Sequence, residues 1–78
     1  MATLLLLGPA REAAGCRHAD IDATTVGQVL AVAEARFGER FAAILAHAAV
    51  WVNGEPADPD CAVGPQDEVA VLPPVSGG

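Results

Sequence analysis

The sequence has 78 residues, 53% of them hydrophobic and 18% charged, and its ten acids against four bases leave a net charge of −6. That length fits one domain with a thin core, which buries only about 60% of the unfolded surface, so a deep enclosed catalytic cleft is disfavoured. The acidic balance argues against nucleic acid, whose binding depends on clustered positive charge, and favours a basic surface on a partner protein.

All four bases are arginine (Arg11, Arg17, Arg36, Arg40), and the chain contains no lysine. The run LLLL at residues 4–7 is far shorter than a membrane span, which takes about 20 residues. No basic segment precedes it, so it reads as a buried strand rather than a signal peptide, and the expected compartment is the cytoplasm. Cys16 and Cys61 stand apart without a C-x-x-C pair and read as ordinary thiols. His18 and His47 read as surface or satisfied histidines, because a zinc site wants about four convergent ligands. No metal site is expected.

In chain order, residues 2–7 form a predicted strand that Gly8-Pro9 ends, since proline cannot donate to a ladder. REAAGC reads as a loop, and residues 17–22 as a second strand returning beside the first. The clearest helix follows in TVGQVLAVAEARFG. Thr25 is its N-cap, Gln28 completes a capping box, Gly38 is its stop, and Val26, Val29, Leu30, Ala33 and Phe37 fall at helical spacing. Residues 39–47 read as a short second helix with Phe41, Ile44 and Leu45 on its apolar side. A strand over residues 49–52 turns at Asn53-Gly54, a dipeptide suited to positive φ. Residues 58–67 read as a loop, and residues 68–72 as a last strand closed by Pro73 and Pro74. Strands before and after one main helix predict an α+β domain, a β-grasp (ubiquitin-like) mixed sheet packed on that helix plus the short second helix, with the first and last strands as central neighbours. The domain is expected over residues 1–74, with residues 75–78 as an extended tail.

Alternation puts Leu4 and Leu6 on one face of the sheet and Leu5 and Leu7 on the other, and both faces of the first and last strands are apolar. Two readings remain open. Leu7, Leu72 and Trp51 either form an exposed apolar patch for a partner, or lie under the second helix or a loop.

The ending VLPPVSGG carries its own chemistry. Pro73 and Pro74 fix their φ and hold the preceding residue extended, so the chain leaves the sheet stiffly. Residues 75–78 then reach roughly 13 Å. Two terminal glycines let a carboxylate pass a narrow channel. A free carboxylate is a poor electrophile, but joining it to AMP from ATP supplies a leaving group that a sulfur nucleophile can displace. The chain has no G-x-x-x-x-G-K-[ST] phosphate loop, so it would be the substrate of an activating enzyme.

Taken together, LLLLGPARE, VNGE, DEVAVLPP and PPVSGG resemble the small, sulfur-carrying subunit of molybdopterin synthase, the MoaD-like family, along nearly the whole chain. The last two stretches are the specific ones. The resemblance implies that Gly78 is adenylated by a ubiquitin-activating-type adenylyltransferase and converted, with a sulfur donor protein, to a thiocarboxylate. The tail then enters the large synthase subunit, in an expected heterotetramer, and donates sulfur to a pyranopterin precursor in molybdenum cofactor biosynthesis. Carried over by residue, Gly78 bears the sulfur, and Gly77, Ser76 and Val75 follow it into the channel. Pro74, Pro73 and Leu72 abut the partner, with Leu7 and Arg11 at the same interface. Arg11 and Glu12 match a recurrent Arg-Glu pair, and a simple ion pair of Arg11 with a nearby acid stays open beside that role. No cofactor is expected on the chain itself; ATP belongs to the activating enzyme. A carrier for thiazole or cysteine synthesis, or a ubiquitin-like modifier joined to a target lysine, remains the alternative.

Overall fold

In the computed structural model, residues 1–73 are described, and they form eight elements. In chain order these are β1 (Ala2–Leu6), α1 (Pro9–Ala14), β2 (His18–Ile21), α2 (Val26–Phe37), α3 (Glu39–Leu45), β3 (Ala49–Val52), β4 (Glu55–Pro56) and β5 (Glu68–Leu72). One sheet takes all five strands in the order β2-β1-β5-β3-β4. β1 and β5 run parallel, and the other pairs are antiparallel. This is the predicted α+β arrangement with the first and last strands as neighbours. A parallel pair cannot be joined by a hairpin, so everything between β1 and β5 is crossover.

Strand alternation decides the core. Ala2, Leu4, Leu6, Val69 and Val71 are fully buried, and they meet Ile21, Val26, Val29, Ala33 and Phe41 from β2 and the helices. Across the sheet on this side, Leu4 pairs with Val69 and Val69 with Val52, while Leu6 pairs with Val71 and Val71 with Val50. The Phe37 and Phe41 rings lie 5.2 Å apart at 58°, a tilted aromatic contact where α2 gives way to α3.

Helix α2 starts as its sequence predicts. Thr25 is extended, and its hydroxyl accepts the Gln28 N–H at 3.2 Å. Gln28 reaches back one residue further than a capping box would: its Oε1 accepts from Thr24 N–H and Thr24 Oγ1, both at 2.9 Å. The loop after β4 supplies two more caps. The Val26 and Gly27 N–H groups donate to the Cys61 and Pro59 carbonyls at 2.9 Å each, so the first turn leaves few orphan donors.

One expectation is corrected. REAAGC is not a loop, because Pro9–Ala14 is an α-helix with Pro9 in its first turn and left-handed Gly15 as its C-cap. Six residues are too few for an isolated helix. α1 is held by packing on α3 and by burial of Ala10. The domain therefore carries three helices rather than two.

The Asn53-Gly54 turn forms with φ of 51° and 86°. Asn53 also ties the turn to the base of β5. Its Nδ2 donates to Asp67 Oδ1 at 2.9 Å, and its Oδ1 accepts the Glu68 N–H at 3.0 Å. Asp67 Oδ2 accepts the Gly64 N–H at 2.7 Å. The Gly64 bond first, and the Asn53 bond second, hold the Asp67 carboxyl below its ordinary pKa against a smaller opposing effect of burial.

Candidate functional site

Among the described residues, the helices bury their side chains on one face of the sheet, and no helix lies on the second. Leu5 pairs with Ala70, Ala70 with Trp51 and Trp51 with Pro56; one row further along, Leu72 pairs with Ala49. Leu7 follows Leu5 by alternation and donates its N–H to the Val71 carbonyl at 3.1 Å. Leu5, Leu7, Ala49, Trp51, Ala70 and Leu72 are all half-buried. None of the six belongs to the core cluster or packs against it. α3 does not cover them, since its Ile44 and Leu45 side chains pack on the core instead. Among the described residues no helix packs over Leu7, Leu72 and Trp51, and each keeps part of its surface exposed.

The patch has a direction. At the start of β1 and β5 the same face is polar, with Asp20, Thr3 and Glu68 in one row. Apolar side chains take over toward the ends of β1 and β5, which run the same way. Leu72 stands last, and Pro73 leaves the sheet immediately after it. Apolar surface and tail root are thus continuous.

Arg11 reaches the same end of the molecule. It is exposed on α1 and lines an open hollow with Gly8, Glu12, Gly15, Cys16 and Arg17, while Gly8 in turn touches Pro73. The structure therefore places Leu7, Leu72 and Pro73 at one end of β1 and β5, and Gly8 links that end to the hollow that Arg11 lines. Pro74, Val75, Ser76, Gly77 and Gly78 lie outside the described residues. Leu5, Ala49 and Ala70 were missing from the expected site, although alternation along the strands contained the signal. The sequence marks Gly8 as a strand breaker and carries no sign of its contact with Pro73.

Of the remaining candidates, His18 pairs with Leu5 across β1 and β2 and so shares a row of the apolar face, while Cys61 and His47 sit elsewhere. Cys61 lines a separate hollow beneath the Asn53-Gly54 turn with Glu55, Asp58, Asp60 and Asp67; both cysteines are free and half-buried. His18 and His47 are exposed. Among the described residues, no three His, Cys, Asp or Glu side chains group as metal ligands, and no helix is long and apolar enough to cross a membrane. This end of the molecule thus combines a half-buried apolar face, a hollow lined by Arg11 and Arg17, and the exit of the chain at Pro73.

A mixed sheet of this order, with its helices on one face and a C-terminal tail leaving the central strand, defines a ubiquitin-like β-grasp domain. The chain belongs to the ThiS family, whose profile matches residues 4–78. Among solved structures it is similar to small archaeal modifier protein 1 of Haloferax volcanii, at 31% identity and a TM-score of 0.74, covering 99% of this chain and 98% of that one. It is also similar to a chain in the complex of subunits 1 and 2 of the molybdopterin-converting factor of Helicobacter pylori 26695. That match has 23% identity and a TM-score of 0.75, covering 99% of this chain and 97% of that one. A third likeness is to a chain of the BexX/CysO complex of Amycolatopsis orientalis, at 21% identity and a TM-score of 0.80 over all of both chains. The last two speak to the fold alone, and both are structures of complexes with a partner protein. No curated protein matches significantly.

Proposed function

We propose that the chain is a sulfur carrier, the small subunit of a molybdopterin synthase, whose working group is the carboxylate of Gly78. A ubiquitin-activating-type enzyme joins that carboxylate to AMP from ATP, releasing pyrophosphate. A persulfide on a donor protein attacks the acyl carbon, so that a C–S bond forms and the C–O bond to AMP breaks. A thiol then cleaves the S–S bond, leaving the thiocarboxylate on Gly78 and a disulfide on the donor side. In the large subunit, the thiocarboxylate sulfur bonds to the pyranopterin precursor, and water on the acyl carbon restores the Gly78 carboxylate. Two deliveries supply the two dithiolene sulfurs that hold molybdenum.

The observation that carries this reading is the uncovered apolar face running into the tail root at Leu72 and Pro73. Leu7, Leu72, Pro73 and Pro74 dock, Arg11 engages the partner's rim, and Val75, Ser76 and Gly77 bring Gly78 to the chemistry. The partner is a protein with an apolar patch ringed by basic residues, matching a chain of net charge −6.

A second reading is supported by the 31% identity to an archaeal modifier protein. The same acyl adenylate would then be captured by a target lysine amine as an isopeptide. This chain has no lysine, so it could not extend itself into polymers. Carriers serving cysteine or thiazole synthesis share the activation step and differ in the acceptor.

Intact mass after incubation with ATP, the activating enzyme and a sulfur donor decides between these. Replacement of one oxygen by one sulfur, lost on deletion of Gly78, is the expected result. An unchanged mass sinks every carrier reading. A lysine adduct in place of the sulfur species favours the modifier, and conversion of the precursor to molybdopterin with a large subunit selects the synthase.

A further inference from the structure

Pro73, the first residue beyond β5, lies against Gly8, the turn between β1 and α1. Because β1 and β5 are parallel neighbours, the exit of one stands beside the exit of the other. At Gly8 the chain turns with φ 59° and ψ −135°, a backbone conformation essentially restricted to glycine. The Gly8 carbonyl accepts the Glu12 N–H at 3.2 Å, which opens α1. A Cβ on Gly8 would stand 2.8 Å from Pro73 Cγ, 3.6 Å from its Cδ and 3.9 Å from its Cβ. Carbons in ordinary contact sit about 3.5–4.0 Å apart, so the proline ring would have to move. That ring is bonded to its own backbone nitrogen, so beyond a change of pucker it cannot swing away as a flexible side chain would. The displacement passes to the backbone of Pro73 and to whatever follows it.

We propose that Gly8 is a positioning residue for the C-terminal tail: its missing side chain makes the seat for Pro73 and so sets the direction in which the chain leaves the sheet. The consequence for chemistry rests on the carrier reading, in which the Gly78 carboxylate must arrive at the activating enzyme's ATP. Gly8 itself touches neither reacting group. Gly15 is the natural control. It too has positive φ, 76°, but a Cβ there meets nothing within 4 Å. An alanine at Gly15 therefore strains the backbone without touching the tail.

The test uses the full chain as wild type, Gly8→Ala, Gly15→Ala, Pro73→Ala and the double variant Gly8→Ala/Pro73→Ala. Folded fraction, the amide resonances of Val75, Ser76, Gly77 and Gly78, and kcat/KM for ATP-dependent adenylation are measured for each. Gly8→Ala is expected to shift the tail resonances and lower kcat/KM about 10- to 100-fold, the scale of an ångström-sized misplacement. Gly15→Ala leaves the tail resonances unchanged, and the double variant returns them toward those of Pro73→Ala alone, while the backbone strain at position 8 remains in its folded fraction. A folded Gly8→Ala with wild-type tail resonances, or equal shifts from Gly15→Ala, overturns the proposal. Should Gly8→Ala not fold, Pro73→Ala decides from the other side of the contact, since loss of the seated ring must move the same resonances. If the wild-type chain is not adenylated at all, the carrier reading falls, while the resonances still report on Gly8.

Discussion

On the helix side of the sheet Leu4, Leu6, Val69 and Val71 are fully buried, whereas on the opposite side Leu5, Leu7, Ala70 and Leu72 stay half-exposed. The same two strands carry both sets. The difference lies in what the chain has available to cover them: all three helices contribute their buried residues to one side. A 78-residue domain has too little chain to roof both faces. Central strands that are apolar on both faces over most of their length normally belong to sheets covered twice, so the missing layer is what a partner protein would supply.

A charge on each face breaks that comparison most sharply. Val71→Glu puts a carboxylate into the core and is expected to unfold the domain, because an unpaired buried charge exceeds the about 4–12 kcal/mol available to a chain of this size. Leu72→Glu, one residue along, is expected to cost only about 1 kcal/mol, roughly half the transfer energy of a leucine side chain. It should leave circular dichroism intact and abolish large-subunit binding in a titration. Loss of fold in Leu72→Glu would make the second face a core after all. Phe41→Ala, a cavity under the covered face, is expected to cost about 3–5 kcal/mol in urea unfolding, with partner affinity per folded molecule unchanged.

Smaller effects sharpen the contrast between the frame and the tail. Thr25→Ala removes the hydroxyl that caps α2 and is expected to cost about 1 kcal/mol, again without altering partner affinity. The Asp67 clasp predicts a pH effect. Its folded pKa is depressed, so the stabilisation is fully present above the unfolded value of 3.8 and is lost as pH falls through the folded value. Acid unfolding of Asp67→Asn should therefore show a weaker loss of stability below that pH than the wild type, and an identical acid profile would sink the assignment.

Much of the frame could be read locally. Strand alternation in residues 2–6 and 68–72, the Thr25 cap and the Asn53-Gly54 turn each depend on neighbours in sequence, and each forms as expected. α1 could not be read that way. Its six residues carry helix-forming side chains but too few turns to hold themselves, and the packing on α3 that stabilises it is set by residues about thirty positions away in sequence. The same holds for the candidate site. The apolar character of Leu7, Trp51 and Leu72 was plain from the sequence, but whether anything covers them depends on where α3 comes to rest.

By itself, then, the sequence determined four of the five strands, the main helix and the β-grasp order, because periodicity, capping and turn residues act over a few positions; the two-residue β4 is too short to show such a pattern. Only the tertiary structure decided that the described helices all pack on one face of the sheet and that Gly8 meets Pro73, two residues 65 positions apart. The parallel pairing of β1 with β5 creates that contact, and no local signal in either segment could announce it.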